Sequence, residues 1–163
     1  LNLSGLIELS DAAAKSLSKL KGTGLSLVLC GLTELSDAAA ESLSKLKGDL
    51  NLDGLTELSD AAAKHLGKHK GDLHLNGLTE LSDAAAESLS KLKGNLNLDD
   101  LTELSDAAAK HLGKHEGLLA LDGLKSLSDV AAESLAKHPN LSINLDNLPA
   151  SAAQILRDAG HGE

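Results

Sequence analysis

At 163 residues, 42% hydrophobic and 24% charged, the chain is long enough to bury one core, and no apolar run approaches the roughly 18 residues of a membrane span. Aromatic residues and Met are absent, which removes the stacking platforms of single-strand nucleic-acid binders and the usual anchors of tight interfaces. A net charge of −9 argues against a polyanionic partner, and the lone Cys30 excludes an intrachain disulfide or a cysteine zinc site.

In chain order the sequence is a tandem array. "LNLSGLIELSDAAA" opens at Leu1, and "LVLCGLTELSDAAA" follows at Leu27, because the link around "GTGLS" is three residues longer than the later ones. Further copies begin at Leu50, Leu73, Leu96 and Leu119, each 23 residues after the last. Beyond Asn140 the pattern decays into "INLDNLPASAAQIL" with Pro149, which reads as a degenerate capping coil over 143–163. Residues 1–163 are thus read as one repeat domain of six coils and a cap.

Each copy changes its period halfway. Leu50, Leu52 and Leu55 nearly alternate, as in a short half-buried strand, and Asp53-Gly54 and Asn76-Gly77 signal a turn at its end. Leu58, Ala62, Leu66 and His69 then recur at helical spacing. Ser-Asp before the alanines supplies an N-cap, and Gly71 fits a left-handed residue closing the helix. A helix of roughly ten residues is marginal alone in water, so only stacking on neighbours buries these leucines. The predicted fold is α/β, a solenoid with short parallel strands on one face and short helices on the other.

The pattern L-x-L-x-x-L-x-x-L-S-D-x-A-A-x-x-L over residues 1 to 145 resembles a bacterial leucine-rich repeat. The resemblance implies a curved solenoid that binds proteins or builds structure and only occasionally accompanies catalysis in another domain; no cofactor is expected. Leu55, Leu78, Leu101 and Leu124 stand near the place of the family's inward Asn, so neither its asparagine ladder nor its tight curvature is expected.

Corresponding positions of successive coils form columns. Acidic columns lie at the helix starts and lysines near the helix ends, as the helix dipole favours. The fifth helical position alternates as Lys15, Glu41, Lys64, Glu87, Lys110 and Glu133, which predicts pairing between neighbouring helices. The strand's outward residues are the candidate partner-binding row: Asn51, Asp53, His74, Asn76, Asn97, Asp99, Asp122, Asn144 and Asp146. Asn2, Ser4, Val28, Cys30 and Ala120 occupy the same columns. A protein partner fits this row, and a loosely held cation is the alternative; nucleic acid and membrane do not fit.

His65 with His69 and His111 with His115 have helical i,i+4 spacing. Zinc needs three or four ligands, and the next coil offers only Ser88 and Leu92, so no metal site is expected; a cation such as nickel or copper held weakly by the His pairs is the alternative. His69, His115 and His138 share a column with Leu20, Leu46 and Leu92 and are expected on the buried stripe. The pair recurs because a 46-residue double unit was duplicated. No nucleophile, phosphate or metalloprotease motif occurs, so no catalysis is expected.

Without Met, signal peptide or basic leader, the chain reads as a mature chain or an excised fragment. Its uncapped first coil suggests preceding repeats or end-to-end self-association. Near-identity of the copies also suits an engineered consensus array, while the irregular first link, isolated Cys30 and decayed last coil favour natural duplication.

Overall fold

A computed structural model describes residues 1–21 and 24–162; Gly22 and Thr23 of the long first link, and Glu163, lie outside them. Among the described residues, six short strands form one parallel sheet in chain order: β1 (Ser26–Val28), β2 (Asp49–Asn51), β3 (Leu73–His74), β4 (Leu96–Asn97), β5 (Leu119–Ala120) and β6 (Leu141–Ser142). Helices alternate with them: α1 (Asp11–Leu17), α2 (Asp37–Leu43), α3 (Asp60–Leu66), α4 (Asp83–Leu89), α5 (Asp106–Leu112), α6 (Asp129–Leu135) and α7 (Ala150–Asp158). The chain is a solenoid of coils of about 23 residues, a repeat visible both in the sequence and in the pairing of Leu50, Leu73, Leu96 and Leu119.

Why the unit folds this way follows from its columns. Leu50, Leu52 and Leu55 turn inward with Ala62, Ala63 and Leu66 of the helix, and all six are fully buried. Burying one leucine stabilises by about 1.5–3 kcal/mol, which a strand of two or three residues cannot supply by itself. Each of α1 to α6 has seven residues, shorter than the sequence pattern suggests. Leu58 precedes α3 and His69 follows it, so the apolar stripe outruns the helix. Helices this short persist only because they pack side by side along the array.

Gly71 does not close a helix in the left-handed region; α3 ends at Gly67 in right-handed conformation. A Cβ at Gly71 would meet the Gly48 carbonyl oxygen at 2.1 Å, so glycine is needed here for close approach of the coils.

The two ends depart from the repeat. Among its described residues coil 1 has no full strand, only a bridge from Asn2 to Val28. In the closing coil, Leu141 pairs with Leu119 and Ser142 with Ala120. The strand therefore starts two residues before the expected boundary at 143, and a 3-10 turn over Leu145–Asn147 follows.

Candidate functional site

Asn51, His74 and Asn97 occupy the outward strand row and are half-buried, while Ala120 in the same row is buried. Asn51 is locked to its own turn: its Nδ2 donates to Asp53 Oδ2 at 2.7 Å, and its Oδ1 accepts the Asp53 N–H at 3.1 Å.

The residues at the strand exit are not free surface groups. Asp53 Oδ1 accepts the Asn76 N–H at 3.0 Å, Asn76 Oδ1 accepts the Asp99 N–H at 3.0 Å, and Asp99 Oδ1 accepts the Asp122 N–H at 3.2 Å. Ser142 completes the run by donating its hydroxyl to the Asp122 carboxylate at 2.9 Å. A side-chain ladder thus joins the coils, two residues before Leu55, Leu78, Leu101 and Leu124, near which the resemblance places an asparagine. A second ladder borders the strand entry. There Asp49 accepts from the Asp72 N–H at 3.1 Å, Asp72 from the Asn95 N–H at 2.8 Å, and Asn95 from the Leu118 N–H at 3.0 Å.

Gathering carboxylates at the exit has an electrostatic consequence. Partial burial raises the Asp99 pKa; the bond from the Asp122 N–H opposes this, and the charges of Asp122, Asp100 and Asp53 add to the rise. Asn144 and Asp146 do not extend the row: Asn144 caps the 3-10 turn by accepting the Asp146 N–H at 3.0 Å. Ser142 holds the strand-row position instead.

A larger concave feature lies where each coil passes from strand to helix. Thr56, Glu57, Thr79, Glu80, Glu103 and Ser105 are among the residues lining an open groove of about 910 Å³ across coils 3 to 6. The backbone keeps these loops stacked, with the Thr102 N–H donating to the Thr79 carbonyl at 3.3 Å. Behind them the N-cap serines are already committed: Ser82 accepts the Ala85 N–H at 3.0 Å and donates to Asp60 Oδ1 at 2.5 Å. Glu57, Glu80 and Glu103 are exposed. Among the described residues the ion pairs are Lys45–Glu41, Lys91–Glu87 and Lys93–Glu116, so no cation neutralises the groove. In coil 6 the Thr-Glu pair becomes Lys125-Ser126, which ends the acidic stretch. In the sequence this glutamate column looks only like a dipole device; its shared groove emerges once the loops stack.

No protein-family model and no curated protein matches the chain.

Among the described residues the alternating helix charges form no ion pair across coils. Glu41 turns back to Lys45 at 2.9 Å and Glu87 to Lys91 at 3.3 Å, one turn on along the same coil. The bond and charge of Lys45 lower the Glu41 pKa, with smaller contributions from His65 and Lys68 of the next coil.

The histidine column is enclosed as its alignment with leucines implied: His69, His115 and His138 are 1%, 2% and 1% exposed. His65 and His111 lie half-exposed at the edge. Among the described residues no three His, Cys, Asp or Glu side chains converge where a metal ion would sit. Cys30 is exposed and unpaired to another cysteine. No described helix is long and apolar enough to cross a membrane.

Proposed function

We propose that the chain is a non-catalytic interaction module on a leucine-rich-repeat-type solenoid, whose acidic groove takes an extended cationic segment of a protein partner. The observation that supports it is the row of Glu57, Glu80 and Glu103, exposed and unneutralised along one open groove. Opposite charge arranged in this way favours encounter and register more than raw affinity. The strand row of Asn51, His74 and Asn97 precedes the groove in each coil and supplies polar contacts, while the exit ladder keeps the coils rigid beneath it.

The test is calorimetric titration with an unstructured Lys/Arg-rich peptide at low salt and again at about 0.5 M salt, where charges separated by more than a few ångströms are screened. Replacing Glu57, Glu80 and Glu103 together by Gln is expected to weaken binding at least about tenfold, equivalent to 1.4 kcal/mol. A control neutralising Glu133, Asp146 and Asp158 keeps the affinity. Equal loss in both variants would reduce the effect to net charge and reject the groove.

A further inference from the structure

The flank opposite the acidic groove carries the other sign. Each helix runs back against the direction of the parallel strands, so helix ends and strand entries share one flank, away from the strand exits and helix starts. On that flank Lys45 and Lys47 follow α2, Lys68 and Lys70 follow α3, and Lys91 and Lys93 follow α4. All of these lysines are exposed. The first two pairs border a hollow of about 370 Å³ between coils 2 and 3, together with Glu41 and His65.

Glu41 neutralises only part of this hollow. It pairs with Lys45 at 2.9 Å, while Lys47, Lys68 and Lys70 belong to no ion pair among the described residues. The corresponding hollow between coils 4 and 5 is closer to balance. There Lys91 pairs with Glu87 at 3.3 Å, and Lys93 pairs at 2.8 Å with Glu116, which stands where coil 3 has Lys70. The helix dipole acts within the last turn, and α3 ends at Leu66, so the dipole does not account for Lys70. A chain of net charge −9 thus keeps an unneutralised cationic patch at one place on one flank.

The glutamate row on the other flank matches this patch coil for coil. Glu34 and Glu57 are exposed at the strand-to-helix loops of coils 2 and 3, and Glu80 and Glu103 continue the row. Both rows advance once per coil, because the same backbone repeat carries them. Two copies side by side, with their strands running the same way, bring Glu34 and Glu57 of one opposite Lys47, Lys68 and Lys70 of the other.

We propose that the lysine hollow of coils 2 and 3 docks the glutamate row of a second copy of this chain, which rests on the reading of that row as a cation-binding groove. The contact is heterologous, since each copy offers a different flank. A two-fold pair would set like charges together, so the match extends as an open row rather than closing as a dimer. In other orientations two chains of net charge −9 repel, which favours this one over the rest.

Sedimentation velocity of the whole chain, from about 10 μM to about 1 mM, covers the range of weak association. At low salt the average mass is expected to climb past that of a dimer, and at about 0.5 M salt to return to the monomer. Two charge-reversed variants carry the decision. One combines Lys47→Glu, Lys68→Glu and Lys70→Glu; the other combines Glu34→Lys, Glu57→Lys and Glu80→Lys. Each alone is expected to associate at least about tenfold more weakly, while their equimolar mixture recovers the association. Both variants keep a negative net charge, so overall attraction does not explain recovery, and recovery also shows that both remain folded. A parent chain that is monomeric at low salt, or a mixture as weak as its components, overturns the proposal. So does an association that persists unchanged at high salt. If a monomeric chain still takes the Lys/Arg-rich peptide, the groove reading survives; if it does not, both fall.

Discussion

His115 lies over His138 with ring centroids 6.0 Å apart and planes inclined by 22°. Both rings are enclosed by the core, and Nε2 of each has no hydrogen-bond partner among the described residues. The Asn140 N–H donates to His138 Nδ1 at 3.1 Å, which requires an unprotonated nitrogen there. Protonating both rings would place like charges one above the other among leucines.

Burial holds the pKa of His69, His115 and His138 below the ordinary histidine value, and His115 and His161 add to the effect at His138. At His69 the Ser44 and Gly48 carbonyls and the carboxylates of Asp49 and Asp72 oppose it without cancelling it. The unfolded chain takes up these protons near pH 6.5 and the folded chain only at lower pH. Between those limits the unfolded state binds more protons, so stability rises with pH. Full stability is expected above about pH 6.5 and is lost as pH falls towards the folded-state values. Melting curves from about pH 8 to pH 5 check this. Replacing His115 and His138 by Leu, the residue of Leu46 and Leu92 in the same column, should flatten the pH dependence. An unchanged slope in that double variant would reject the column as its source.

Ser59 performs two bonds at once, accepting the Ala62 N–H at 3.0 Å and donating to Asp37 Oδ1 at 2.5 Å. Ser59→Ala is expected to cost more than the roughly 1 kcal/mol of an isolated cap, because the interaction with the preceding coil is lost as well. A double-mutant cycle with Asp37→Ala, followed by urea unfolding, isolates that part. A coupling energy of about 0.5–1 kcal/mol is expected for a charge-assisted bond at an exposed site. Zero coupling would mean that the serine acts on its own helix only.

Much of the architecture was legible because leucine spacing switches from strand to helix period inside every copy, and the histidine column declared its burial by aligning with Leu20, Leu46 and Leu92. The closing coil was not. Leu141-x-Ile143 and Ile143-x-Leu145 alternate equally well, so the pattern allows two registers two residues apart, and sheet pairing selects the earlier one. The exit ladder also escaped sequence reading. Asp53, Asn76 and Asp99 alternate outward like any solvated turn residues, and only the stacking of coils brings each side-chain oxygen to the next coil's N–H. Glu41 and Glu87 were aligned with lysines of neighbouring helices, but Lys45 and Lys91 lie one turn away on their own coils and reach them first.

Asp99 offers a stabilising substitution that the array itself supplies. Its ladder role needs only an acceptor for the Asp122 N–H, and Asn76 performs that role one coil earlier with an amide oxygen. The negative charge adds nothing to the bond's geometry and lies near Asp53, Asp100 and Asp122, which with partial burial keep the Asp99 pKa raised. The folded state therefore binds its proton more readily than the unfolded state, and this group's contribution to stability falls as pH rises through the carboxylate range. Asp99→Asn is expected to raise stability at pH 7 by about 0.5 kcal/mol, the scale of a single partly exposed charge interaction. The gain should shrink with added salt and fade as pH falls through and below the ordinary carboxylate range, where the parent chain loses the charge. Paired thermal melts of parent and variant at pH 7 and pH 3.5 decide it. A variant less stable than the parent at pH 7 would mean that the carboxylate has a second acceptor role which the amide cannot take over.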